Sequence, residues 1–111
     1  MILKELLDVL NKPEVNGGID VQIGDITYDS REVKGGSLFV AVKGFKTDGH
    51  RYIADAVKRG ASAVVVEDAV NISKGDVTVI TAPDTRNALA LLSARFYGDP
   101  SRRLRMIGIT G

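Results

Sequence analysis

Two stretches of this 111-residue chain combine side chains and loop backbone in a way that could hold an anionic small molecule. In the first, Thr27-Tyr28-Asp29-Ser30-Arg31-Glu32-Val33-Lys34-Gly35-Gly36, a strand-like run ends on an acid, a hydroxyl and a guanidinium before the chain turns on two glycines. These three side chains either meet a ligand or form a capped turn in which Asp29 bonds local backbone and Arg31 pairs with it. In the second, Phe39-Val40-Ala41-Val42-Lys43-Gly44-Phe45-Lys46-Thr47-Asp48-Gly49-His50, a glycine-bearing loop joins a buried strand to a helix. Free backbone N–H groups and the positive end of a helix dipole then lie together at the strand's carboxyl edge, which suits a diphosphate or a sugar. An ordinary β-to-α connection has the same form, and both readings stand at this point.

Catalytic groups are scarce. The chain has no cysteine, a single histidine at His50, and no His, Asp and Glu cluster at metal-ligand spacing. His50 falls in the first turn of its predicted helix, where an imidazole is a surface or hydrogen-bonded structural residue more readily than a general base. Fifteen basic and fourteen acidic residues leave a formal charge of +1, which provides no surface for neutralising many phosphates and argues against nucleic acid. The lack of cysteine excludes a disulfide framework and fits a reducing compartment, with cytoplasm as the expectation. The amino-terminal segment carries Lys4, Glu5 and Asp8 within its apolar pattern. It is therefore neither a signal peptide nor a membrane span.

The elements that must position the two loops follow from periodicity. Leu3, Leu6, Leu7 and Leu10 share one helical face, closed by Pro13, Gly17 and Gly18. Val21, Ile23 and Ile26 mark two short strand pieces that end at Asp29-Ser30. Leu38 to Val42 is a continuous apolar run too short for a helix, and so a strand buried on both faces. Asp48 is placed to cap a helix whose buried face is Ile53, Ala56 and Val57, with Lys58 and Arg59 at its negative end and Gly60 as terminator. Residues 63 to 67 and 77 to 81 are two further strands, and Asp84 caps a helix whose Leu89, Leu92 and Phe96 share a face before Gly98 and Pro100 stop it. A last strand, Leu104 to Gly111, runs into a glycine-bearing end. Strands alternating with helices from residue 38 onward predict an α/β layer fold with a small mixed or parallel sheet flanked by helices. With 44% hydrophobic and 26% charged residues, one globular core is expected.

Taken in order, Asp29-Ser30-Arg31, Gly36-Ser37-Leu38-Phe39-Val40-Ala41 and Gly44-Phe45-Lys46-Thr47-Asp48-Gly49-His50 resemble the motif series of the amino-terminal domain of the Mur ligases. The resemblance continues through Ala56, Gly60-Ala61 and the 63–67 strand, then through Phe96-Tyr97-Gly98-Asp99-Pro100-Ser101 and the terminal Gly-Ile-Thr-Gly, so it spans nearly everything after about residue 20. The Phe-Tyr-x-x-Pro-Ser tail ahead of Gly-Ile-Thr-Gly resembles the MurE type. The MurF type shares the earlier motifs and remains an alternative, as does a stand-alone, non-catalytic nucleotide-sugar module.

The resemblance implies a domain over residues 1–104 that binds the UDP part of UDP-N-acetylmuramoyl-L-alanyl-D-glutamate, with residues 105–111 opening a central ATPase domain. The full-length enzyme would use ATP and Mg²⁺ to add the third peptide residue, meso-diaminopimelate or L-lysine, with its central and carboxyl-terminal domains as partners within the same polypeptide. This domain would bind neither cofactor and would not be catalytically competent alone. The positions matching family nucleotide contacts are Tyr28 and Ser30 in the first loop and Phe45, Lys46 and Thr47 in the second. Thr110 and Gly111 match the first residues of a phosphate-cradling P-loop. The family also implies a soluble bacterial, cytoplasmic setting with no membrane insertion.

Overall fold

The computed structural model describes residues 1–10, 13–42, 49–67 and 77–98. Its centre is a five-stranded mixed sheet built from β1 (Glu14–Asn16), β2 (Asp25–Thr27), β3 (Ser37–Val40), β4 (Ala63–Val66) and β5 (Thr78–Thr81), in the order β1-β5-β4-β3-β2. The last four run parallel, with Thr27 opposite Phe39, Val40 opposite Val65 and Val66 opposite Thr81, while β1 pairs antiparallel with β5. The expected α/β fold with a mixed sheet is the one observed.

Alternation along the strands supplies two cores. Leu38, Val40, Ala63, Val65 and Ile80 face α1 (Leu3–Leu7) and α3 (Thr85–Tyr97), where Leu3, Leu6, Ala88, Leu92 and Phe96 are buried against them. Phe39, Ala41, Val64 and Val66 face the other way, onto Ile53 and Ala56 of α2 (Ile53–Lys58). Side chains that point to opposite faces at successive positions are both buried here, which is why β3 and β4 read as unbroken apolar runs.

Polar groups at the element ends find partners. The first N–H groups of α1, at Leu3 and Lys4, donate to the carbonyls of Val21 and Ile19, which also anchors the segment leading to β2. Asp84 caps α3 as expected, its Oδ1 accepting from the N–H groups of Arg86 and Asn87, each at 3.1 Å. Gly60 ends α2 at φ +108°, and the N–H groups of Gly60 and Ala61 return to the carbonyls of Val57 and Ala56. On the outer side of β2, the Ile26 N–H donates to the Tyr97 hydroxyl at 3.4 Å, and the Tyr97 ring stacks on Phe96.

Three expectations need correction or fall outside this description. Residues 14–16, expected only as part of the close of the first helix, form the edge strand β1. The second helix opens with a 3₁₀ turn, Gly49–Tyr52, ahead of α2, whose own N-cap residue Tyr52 makes no side-chain cap bond. Tight turns of this kind commonly lead into α-helices, and His50 lies in that turn rather than in the first α-helical turn. Asp48 and the strand expected over 104–111 lie outside the described residues. Among the described residues, no helix is long and apolar enough to cross a membrane.

Candidate functional site

Because β2 to β5 are parallel and in register, the segments that follow them emerge on one edge of the sheet. In an open α/β sheet that edge is where ligands bind. Here it carries Tyr28 to Arg31 after β2, the start of the 41–48 loop after β3, Glu67 after β4, and Asp84 with Thr85 after β5.

The end of β2 is locked by short-range bonds. Thr27 Oγ1 accepts from the Asp29 N–H at 3.0 Å and donates to the Asp29 carbonyl at 3.3 Å. Asp29 then caps a 3₁₀ turn, Ser30–Glu32, through the Arg31 N–H at 2.9 Å. The Arg31 fork closes on the same carboxylate, with Nε donating to Oδ1 at 3.1 Å and Nη2 donating to Oδ2 at 2.9 Å. The capped turn weighed from the sequence is therefore present. The Arg31 side-chain and backbone hydrogen bonds hold the Asp29 carboxyl below its ordinary pKa, and the same carboxylate raises that of Arg31.

Inside this turn Ser30 is only 8% exposed, yet its hydroxyl makes no hydrogen bond to another described residue. No fully buried side-chain polar atom among the described residues lacks a partner, so the Ser30 Oγ reaches solvent through the edge of the site. Tyr28, by contrast, is 65% exposed. Val33 anchors the turn into the core beneath α2.

The N-terminus of α3 is on the same edge but is already occupied. Glu67 Oε2 accepts from both the N–H and the hydroxyl of Thr85, at 3.0 and 3.1 Å, beside the Asp84 cap. Two carboxylates there disfavour an anion at the N-terminus of α3. Glu67 was missed in the sequence, since its bond to Thr85 joins residues 18 apart; an acid directly after a buried strand was the only signal.

The structure thus places Ser30 and Tyr28 together at the end of β2. Phe45, Lys46 and Thr47, and also Thr110 and Gly111, lie outside the described residues. The second loop nonetheless leaves from β3, the strand that pairs directly with β2, and returns at the 3₁₀ turn before α2, which packs against the Ser30 turn. Among the described residues, no group of three or more His, Cys, Asp or Glu side chains could hold a metal ion.

The family model described as "Mur ligase family, catalytic domain" matches residues 22–97. The chain belongs to the Mur ligase family. It is 44% identical over its whole length to UDP-N-acetylmuramoyl-L-alanyl-D-glutamate--2,6-diaminopimelate ligase of Clostridium perfringens, covering 23% of that protein. It is 50% identical over its whole length to the ligase of the same name from Bacillus licheniformis, covering 22% of it. Among solved structures it resembles MurF from Acinetobacter baumannii, with a TM-score of 0.73 and 26% identity over 85% of this chain and 20% of that one. This Mur ligase chain therefore spans between a fifth and a quarter of the length of the relatives it matches.

Proposed function

We propose that this chain is the UDP-binding amino-terminal domain of a MurE-type ligase, which adds the third peptide residue to UDP-N-acetylmuramoyl-L-alanyl-D-glutamate in peptidoglycan synthesis. The observation that carries the reading is Ser30, 8% exposed with a hydroxyl that bonds no other described residue, at the carboxyl edge of the parallel strands. The substrate class comes from relatives 44% and 50% identical over the whole chain whose names specify that substrate and 2,6-diaminopimelate. The MurF likeness is one of shape, at 26% identity, and supports the shared domain fold more than the shared substrate.

Within this reading Ser30 donates to or accepts from the nucleotide, the exposed Tyr28 ring lies beside it, and Phe45, Lys46 and Thr47 complete the site from the β3 loop. Lys46 is able to approach a phosphate as a point charge. The remainder of the enzyme supplies ATP and Mg²⁺ chemistry, the ligase step and the amino-acid site. We place the boundary between residues 104 and 105, with Thr110 and Gly111 opening the nucleotide loop of the next domain, and the whole enzyme in the bacterial cytoplasm.

Titration of the ¹⁵N-labelled chain with UDP tests the reading. Amides of residues 28–31 and 44–50 should shift together and saturably. Shifts confined to another face, or an equal response to ATP, would reject this domain as the UDP anchor.

A further inference from the structure

We propose that Asp29 and Arg31 form a clamp that presents the Ser30 hydroxyl to the nucleotide, so that both are positioning residues acting through Ser30. The proposal rests on the UDP-binding reading above and adds to it a device for orienting the contact.

The geometry favours this role over two simpler ones. The three bonds from Arg31 to Asp29, at 2.9, 3.1 and 2.9 Å, join the residues on either side of Ser30 through both backbone and side chain. Thr27 fixes Asp29 from the preceding side, and the Asp29 and Ser30 carbonyls accept from the N–H groups of Glu32 and Val33. The Ser30 hydroxyl itself takes no part in these bonds. A purely stabilising role explains little, because the pair's side chains are 82% and 31% exposed and ion pairs so exposed add almost nothing to a fold. Direct ligand contact explains little either, because Nε and Nη2, two of the three nitrogens of the Arg31 fork, already point at Asp29. What the arrangement does accomplish is to fix one rotamer-rich turn before any ligand arrives, which removes an ordering cost from binding. A planar two-nitrogen fork is required; a lysine offers a single point charge and cannot hold both carboxylate oxygens in the same way.

The test is a double-mutant cycle in the 111-residue chain, with UDP affinity measured by calorimetry and thermal unfolding measured alongside. Arg31→Met and Arg31→Lys should each weaken UDP binding by about 3- to 10-fold with the unfolding midpoint unmoved. In a Ser30→Ala background, adding Arg31→Met should cost nothing further, because the clamp acts only through the hydroxyl already removed. Additive losses would overturn the proposal by making Arg31 a ligand contact. Arg31→Lys binding as tightly as the unmodified chain would overturn it by showing that charge suffices, and a wild-type response in both Arg31 variants would show that the clamp is idle. In all three of those outcomes the unmodified chain still binds UDP and the nucleotide reading stands. No UDP response in the unmodified chain would overturn that reading and the clamp together.

Discussion

Ser30 is nearly buried, yet its hydroxyl opens to solvent and bonds no other described residue, which leaves it available to the nucleotide under the proposed reading. Ser30→Ala should then weaken UDP binding by roughly 0.5–1.5 kcal/mol, the net worth of one neutral hydrogen bond, and leave the unfolding midpoint in place. An unchanged affinity with the chain still folded would remove Ser30 from the site. Asp29 permits a pH prediction. Its folded-state pKa is lowered, so whatever order the Arg31 bond confers is fully present above the ordinary carboxylate range and is lost only as pH falls through the lower folded value, while Arg31 stays charged throughout. The Asp29 carboxyl carbon, followed by NMR, should titrate below the ordinary aspartate value, and its midpoint should rise in Arg31→Met; an unmoved midpoint in that variant would contradict the bond. The Asp29–Arg31 pairing was legible because both partners sit within three residues. The burial of Ser30 was not, since nothing local indicates that Val33 draws the turn beneath α2.

Helix ends carry the element-scale predictions. Asp84→Ala removes the acceptor for the Arg86 and Asn87 N–H groups and should lower stability by about 0.5–2 kcal/mol, read as a fall in the unfolding midpoint. Survival of the Thr85 bonds to Glu67 would keep the loss toward the lower part of that range. Gly60→Ala should cost about 1–3 kcal/mol, because at φ +108° an added Cβ is strained and would also lie 3.2 Å from the Gly35 backbone. An unshifted denaturation midpoint in that variant would mean the α2 terminus relaxes freely. Elements whose cause is local were readable: the unbroken runs of β3 and β4, the Asp84 cap and the Gly60 stop. Elements caused by distant partners were not. β1 has a single apolar residue, Val15, and becomes a strand only by pairing with β5 sixty-five residues away, where Thr78 Oγ1 also donates to the Gly18 carbonyl at 2.6 Å. The tight 3₁₀ turn that opens the α2 segment was not legible either, since the sequence rules for a helix start do not separate a 3₁₀ first turn from an α-helical one.

At the scale of the whole molecule, one sheet covered on both faces should unfold as a unit. Leu92→Ala, which empties a fully buried position between α3 and the sheet, should cost about 2–5 kcal/mol with calorimetric and chemical midpoints falling together. The α/β class was legible from alternating patterns, whereas the strand order and the reversed β1 depend on pairings that no short window contains. The two borders of the sheet are handled differently. β1 is short and leaves Glu14 and Asn16 exposed, so charge and brevity discourage a newcomer there. β2 is equally short, and its Ile26 amide is met in addition by the Tyr97 hydroxyl, delivered from the far end of α3. Tyr97 is thus a stopper against self-association: it takes up the amide on which another molecule's strand would begin to dock. A Tyr97→Phe chain should fold normally and still bind UDP, yet form oligomers at concentrations where the parent stays monomeric by light scattering.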